Sequence, residues 1–444
     1  MFLPPQVQFC ITTLEQAGFE TYAVGGCVRD ACLGLTPQDY DLCTAATPEQ
    51  ICRIFADFSL VMAGQKHGTI GVVLDGAVYE ITTFRTEGTY TDSRHPDWVR
   101  FVTDVRADLA RRDFTVNAMA YTPACGFTDP FGGQQDLKQK VLRAVGDPRQ
   151  RFTEDALRIL RGVRFAVKYG LTPEQETLDA MISLSPRLRN IAAERIFDEL
   201  CKLLPLVTAE HLSIFAPILC QVIPQLTPLV GFDQKNAHHA YDVFTHTAHV
   251  VEAVPGDLPL RWAALLHDIG KPETFTLDDA GTGHFYGHAQ VSADIADSIL
   301  RQLKAPTQLR EQVVLLIGLH MTKLEPDKRL LRRRLNRLGE ETLLQLLCLQ
   351  EADMGSKGMG IPAESAQFPQ LRQLLAEIKA ENACLSLKNL AVNGRDLMAL
   401  GITGKAIGNT LHNLLEQVMD EQLPNEKQAL LAALQKTIHQ EDFL

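Results

Sequence analysis

Two hydrophobic periodicities divide this chain, and the point where one replaces the other constrains the fold more than any other feature. The first 145 residues mix strand-like alternation, as in Gly71 to Leu74 and Val78 to Thr83, with helical stretches and many glycines. From about Asp147 onward the apolar residues recur with a helical period: Glu154 to Lys168, Ala192 to Leu204, Leu258 to His267 and Asn409 to Met419 all predict helices. The expected fold class is therefore an α/β head followed by an all-α remainder. At 444 residues, 45% of them hydrophobic, the chain is too long for one core and apolar enough to bury several.

Within the head, residues 22 to 42 read YAVGGCVRDACLGLTPQDYDL. This is an apolar strand, a Gly-Gly turn, a short helix, and then Asp39 and Asp41 flanking Tyr40. Glycines let a backbone approach a phosphate closely, and the N–H groups at the start of the following helix face the anion. Arg29, one turn in, can add a charge-assisted contact. If Asp39 to Leu42 is extended, alternation places the two carboxylates on one face, about 7 Å apart along the strand. Paired hard-oxygen ligands at that separation suit a pair of Mg²⁺ ions acting on a phosphoryl group. Glu80, in VYEITTFR, is either a third carboxylate of that set or an ordinary exposed strand residue.

The net charge of −11 excludes a protein that coats nucleic acid by bulk attraction, so any RNA partner must meet local basic patches. These are Arg111-Arg112, the row Arg158, Arg161 and Arg164, and KRLLRRRLNR from Lys328 to Arg337, which also reads as a solvated helix face. The ten cysteines form no CxxC pair and read as reduced, mostly core thiols. Without a basic-then-apolar leader or an apolar run of bilayer length, the expected location is the cytoplasm, with no membrane partner.

GGCVRDACLG followed by DYD resembles the catalytic motif of the class II tRNA nucleotidyltransferases, or CCA-adding enzymes, whose polymerase-β-like head is shared with bacterial poly(A) polymerases. The resemblance implies metal binding by Asp39 and Asp41 and nucleotide contact by Gly26 and Arg29. RRDFTVNAMAY (111 to 121) resembles the family's second motif, which implies contacts from Arg112 and Asp113 to the phosphates and ribose of the incoming nucleotide, with Asn117 in support; Asp113 as a helix cap is the plainer reading. DPFGGQQDL (129 to 137) resembles the hinge before the neck.

EDALRILRGVRF (154 to 165) resembles the motif that stands in for a template. On one helix, Asp155 and Arg158 would be neighbours and form an edge able to pair with C or A, while Arg161 and Arg164 would reach other points such as phosphates. The alternative is an amphipathic helix with surface ion pairs. RTEGTYTDSRHPDWVRF (85 to 101) resembles the loop associated with the switch from C to A addition. AERIFDEL (193 to 200) resembles a further neck motif, the plainer reading being that Glu194, Arg195 and Glu199 simply brace the helix, and residues 390 to 411 resemble the C-terminal region of some members. AGQKHGTIGVV (63 to 73) departs from the basic stretch of poly(A) polymerases and favours the tRNA enzyme.

A second set of residues, His246, the pair His267-Asp268 in LLHDIGK, and Asp353, has the order and separations of the HD-domain ligand set, with His288 and His320 completing or extending it. Imidazoles and carboxylates on packed helices can hold a divalent transition metal and activate water for phosphoester hydrolysis.

The implied organisation is a nucleotidyltransferase head (1–145), a helical neck (146–205), a helical body (206–240), an HD domain (241–380) and an RNA-binding tail (381–444). The implied reaction is template-independent addition of CCA to tRNA from CTP and ATP with Mg²⁺, the HD domain acting on a 2′,3′-cyclic phosphate or a nucleotide phosphomonoester. The rivals are a poly(A) polymerase and an HD phosphohydrolase whose head only binds RNA.

Overall fold

The computed structural model describes residues 1–88, 98–236, 239–358, 363–381 and 383–441. It divides into two compact units, Met1–Thr227 with Gln302–Ala305, and Pro228–Arg301 with Pro306–Leu444.

The first unit is built on a seven-stranded mixed sheet. Its strands are β1 (Thr21–Val24), β2 (Asp41–Thr44), β3 (Leu60–Val61), β4 (Thr69–Leu74), β5 (Ala77–Thr83), Ala120–Thr122 and Gly126–Thr128, in the spatial order β3-β4-β5-β2-β1 and then the last two. β2 and β5 run parallel and the other neighbours antiparallel. β4 and β5 join through Asp75-Gly76, both at positive φ (50° and 80°), the backbone a two-residue hairpin requires. Tyr22, Val24, Cys43, Phe84, Leu109 and Ala120 form a core cluster beside the sheet. The helix Pro5–Gln16 buries Val7, Cys10, Ile11 and Leu14.

The neck departs from the predicted single helix at Glu154 to Lys168. One helix, Pro148–Glu154, stops before Asp155, whose φ of −139° is extended, and a second runs Leu157–Tyr169. Asp155 turns its carboxylate onto the backbone N–H of Leu157 (3.0 Å), as residues that start helices do. Ala193–Leu203 forms the next long neck helix, as its periodicity predicts, burying Ile196, Phe197, Leu200 and Leu203. Residues 89–97 of the 85 to 101 loop lie outside the described residues; its ends, Arg85–Glu87 and Val99–Phe101, pair as a short antiparallel ribbon.

The second unit is helical apart from one two-residue strand pair, Thr276–Leu277 with Gly283–His284. Helices Val243–Ala253, Leu258–Leu266, His288–Gln302, Thr307–Leu319 and Glu340–Gly355 surround fully buried residues such as Trp262. Toward the C-terminus Leu390, Val392, Leu397, Leu414, Leu415 and Leu430 form a separate small core. No described helix is long and apolar enough to cross a membrane. All ten cysteines are free, but only Cys10, Cys27, Cys43 and Cys384 are buried, which corrects the expectation of mostly core thiols.

Candidate active site and metal centre

Sheet register assembles the head site. Val24, the last residue of β1, pairs with Asp41, the first of β2, so the Gly25-Gly26 turn leaves the sheet beside that aspartate. Because Leu42 is in register with Ile81, Asp41 lies level with Glu80 on the neighbouring strand. Aligned residues on adjacent strands project to the same face, and Asp39 lies two residues before that strand end. Asp39, Asp41 and Glu80 consequently line one cleft of about 560 Å³. Asp39 itself precedes the strand, which begins only at Asp41. The oxygens of the three do not close to within 4.8 Å of one another, unlike the histidine clusters described below. Protein packs against one side of the Asp41 carboxyl, and this partial burial, only partly offset by Arg112 and reinforced by Asp39, raises its pKa. A bound cation would relieve both the burial and the repulsion, so the donor set fits a hard divalent ion.

The turn is tight at its first glycine. Gly25 has φ 77°, and a Cβ there would stand 2.9 Å from Nη1 of Arg112. Arg112 reaches Asp108 at 3.4 Å, yet its Nε is buried without a hydrogen-bond partner. It is a cation with spare donor capacity beside the turn and Asp41. Arg29, expected to contact the nucleotide, is already engaged within the unit. Its guanidinium is buried, donates to Asn117 Oδ1 (2.6 Å), Asp30 (2.7 Å) and Tyr169 Oη (2.5 Å), and lies 4.2 Å above the Tyr169 ring.

Asn117 passes the connection on. Its Nδ2 donates to Asp113 Oδ1 (3.0 Å), and Asp113 Oδ2 accepts two bonds from Arg161 (2.9 and 2.7 Å). Arg29, Asn117, Asp113 and Arg161 thus form one chain of charge-assisted bonds from the glycine turn to the helix Leu157–Tyr169. Burial would raise the Asp113 carboxyl, but Arg161 and the amide of Asn117 outweigh it and hold the pKa down at about 2.

The proposed base-reading edge is also arranged differently from the expectation. Asp155 and Arg158 are not successive rows of one helix; they flank the break between two. Asp155 Oδ2 accepts from Arg195 (2.9 Å), whereas Arg158 donates to Glu154 (2.9 Å) and to the carbonyl of Arg111 (3.1 Å). Arg164 pairs with the buried Glu199 (2.6 Å), and Arg161 with Asp113, so neither is an idle phosphate contact. Through these pairs Glu199 and Arg195 tie neck segments together. Sequence reasoning missed Tyr169, which stacks on Arg29; its position four residues after Phe165, on the same helix face, was the available signal.

The basic run from Lys328 to Arg337 forms a helix, Lys328–Leu338, whose charges mostly serve the fold. Lys328 and Arg332 pair with Glu381, and Arg329 and Arg333 with Asp420. Arg334 and Arg337 have no partner among the described residues.

In the second unit His246, His267, Asp268 and Asp353 come together, with His288 and His320 beside them. His246, His267 and Asp268 offer atoms mutually within 4.8 Å, and so do Asp268, His288 and His320. His246 Nε2 lies 3.0 Å from Asp353 Oδ1 and 3.5 Å from Asp268 Oδ2. His246 Nδ1 and His267 Nδ1 face the carbonyls of Ser356 (3.2 Å) and Ala264 (2.8 Å), which can only accept. Each Nδ1 therefore carries a proton, and each Nε2 is aimed inward, that of His246 onto the carboxylate of Asp353. His267 Nε2, 3.3 Å from Asp268 Oδ2, is buried and makes no hydrogen bond. Burial lowers the pKa of His320 to about 4, with His267 adding repulsion, which keeps that imidazole neutral. Buried carboxylates among inward-facing imidazoles are the donor set of a divalent transition ion.

Fold and site together define a nucleotidyltransferase of the polymerase-β type joined to a helical RNA-processing body. Residues 21–143 match the poly(A) polymerase head domain family, 170–211 the probable RNA and SrmB-binding site of polymerase A, and 284–434 the putative tRNA nucleotidyltransferase domain 2. A CCA-adding enzyme of Levilactobacillus brevis is 36% identical over 96% of both chains, and one of Streptococcus mutans is 32% identical over 98% of both. The crystal structure of the Bacillus stearothermophilus CCA-adding enzyme in complex with CTP superposes with a TM-score of 0.73 at 28% identity, covering 100% of this chain and 99% of that one. The chain belongs to the CCA-adding enzyme family.

Proposed function

We propose that this protein adds C, C and A to the 3′ end of tRNA from CTP and ATP without a template, in the cytoplasm. The observation that carries the reading is the register that sets Asp41 level with Glu80 and against the end of β1, beside the glycine turn and Arg112. Asp39 and Asp41, with Glu80 beside them, would hold divalent ions, which we take to be Mg²⁺. Such ions, when bound, lower the pKa of an attacking hydroxyl and neutralise charge on a departing pyrophosphate. The backbone N–H groups after Gly25 and the guanidinium of Arg112 orient the triphosphate. Gly26 keeps the backbone close to it, and the Arg29–Asn117–Asp113–Arg161 chain holds the turn against the neck, where Asp155 and Arg158 select the base and Arg164 fixes the neck helix. The family resemblance supports the division into head (1–145), neck (146–205), body (206–240), HD domain (241–380) and tail (381–444).

The test is incubation with tRNA lacking its CCA, supplying labelled CTP and ATP singly and together. Two C residues followed by one A are expected. A run of adenylates on unrelated RNA would make the protein a poly(A) polymerase, and failure to release pyrophosphate with any nucleotide would reduce the head to an RNA-binding module.

A second reading has its own support. His246, His267, Asp268 and Asp353 fit a transition-metal site, because His267 Nε2 is a buried nitrogen without a hydrogen-bond partner, aimed at the carboxylate of Asp268. We assign it to hydrolysis of a nucleoside 2′,3′-cyclic phosphate or phosphomonoester. Hydrolysis by the Ni²⁺-, Co²⁺- or Mn²⁺-loaded protein is expected; no hydrolysis and no bound metal would leave a scaffold.

A further inference from the structure

Resting on the reading of the histidine cluster as a phosphohydrolase centre, we infer that the mouth of its cavity is a stacking slot for a nucleobase, formed by Met321 and by Tyr286 backed by His284. A tyrosine and a methionine left 76% and 60% exposed stand at this point of the second unit. They come from different elements: Tyr286 follows the short strand Gly283–His284, and Met321 follows the helix Thr307–Leu319. Both nevertheless line one cavity of about 240 Å³, together with Asp268, His288 and Asp353. Apolar side chains left in water at the entrance to a buried polar site are surface kept for a ligand.

The tyrosine is held ready. Its ring stacks on that of His284, with 5.3 Å between centroids and planes 12° from parallel. His284 is pinned in turn, its Nε2 lying 2.9 Å from Asp278 Oδ2, while Asp278 Oδ1 accepts the backbone N–H groups of Ala280 (3.0 Å) and Thr282 (2.8 Å) in the same hairpin. A ring already packed on one neighbour and otherwise open loses little freedom when a second ring settles on it. Every base has a π-face, so such a platform accepts any nucleoside and holds the larger purines most firmly. The polarizable thioether of Met321 suits the same flat surface. Elsewhere the cavity is cationic. Lys271 Nζ is committed to the fold, 2.7 Å from Asp268 and 2.9 Å from Gln234 Oε1, whereas Lys357 forms no ion pair among the described residues and is left for a phosphate. Base slot, free lysine and ligand set together select a nucleoside phosphate, free or at the 3′ end of an RNA, over a phosphoester that carries no base.

The experiment reads binding, separately from turnover. 2-Aminopurine riboside 3′-phosphate, whose fluorescence falls on stacking, is titrated into the full chain with Mg²⁺ present. Quenching is expected; Tyr286→Ala should remove it and weaken binding about 5- to 100-fold, and Tyr286→Phe should retain both. An unchanged melting curve shows that Tyr286→Ala folds; if it melts early, Tyr286→Leu, which keeps apolar bulk without a π-face, is read instead and should show the same loss. An RNA minihelix ending in the same nucleotide identifies the source: tighter binding than the free nucleotide assigns the slot to an RNA end, and equal or weaker binding assigns it to the free nucleotide. No quenching, or equal quenching in the parent and in Tyr286→Ala, overturns the slot, and continued hydrolysis of 2′,3′-cyclic AMP by the Co²⁺-loaded protein would leave the phosphohydrolase reading intact. Quenching that depends on Tyr286, in a protein that binds no metal and hydrolyses nothing, would keep the slot and remove the phosphohydrolase.

Discussion

Asp41 and Asp113 sit in the same domain and are tuned in opposite directions. Burial and Asp39 raise the Asp41 carboxyl, whereas Arg161 and Asn117 hold Asp113 at about 2. Asp41 has the raised carboxyl that a bound cation would bring down, as expected of a ligand; Asp113 is already paired with Arg161 and Asn117, as expected of a strut. Asp41→Asn is therefore expected to lower the rate of C addition by at least about 10³-fold with tRNA affinity unchanged in a filter-binding assay. Asp113→Asn should instead lower stability, by about 2 kcal/mol at neutral pH if its pKa shift is taken at face value. Because the folded pKa lies below the unfolded one, that contribution is complete above about pH 4 and fades as pH falls toward 2. Denaturant melts of the two proteins should converge over that window; a constant gap would mean the carboxylate charge is not what stabilises the strut.

Among the elements, the neck and the basic helix show how charges with similar sequence patterns take different work. In Leu157–Tyr169 the arginines are paired inside the unit, Arg161 with Asp113 and Arg164 with Glu199. In Lys328–Leu338, Arg332 is buried between Glu381 and Glu421 and fastens the C-terminal helices. Both acid partners are exposed and solvate readily once unpaired, so Arg332→Ala is expected to lower the melting temperature through the lost packing of the buried guanidinium and its bond to the Met419 carbonyl. Arg334 and Arg337 are the residues on that helix free to meet phosphate. Replacing both with Ala should leave the melting curve unchanged, weaken tRNA binding, and flatten the slope of log Kd against log salt by about 1–2. An unchanged slope would place RNA contact elsewhere. The periodicity of both helices was readable from residue order, but which arginines were free was not, because the partners of Arg161, Arg164 and Arg332 lie 35 to 89 residues away.

Considered as a whole, the molecule presents two candidate metal-binding donor sets, hard carboxylate oxygens in the first unit and imidazoles with carboxylates in the second. Softer nitrogen chelators discriminate between them. In excess Mg²⁺, 1,10-phenanthroline is expected to remove hydrolysis while CCA addition continues, and Asp39→Asn is expected to do the reverse. Loss of both activities with either treatment would show that the centres do not work separately.

Residue order alone determined the α/β-then-α progression, the glycine turn with its acidic pair, and the His-Asp ligand set, because each depends on short-range periodicity or on residue types with few other uses. Tertiary structure decided the rest. It set Asp41 level with Glu80, broke the neck helix at Asp155, enclosed Arg29 against Tyr169, and aimed two oxygens of Asp268 at different imidazoles. The physical reason is that strand register, burial and hydrogen-bond direction belong to pairs of residues far apart in the chain, and no local pattern carries that information.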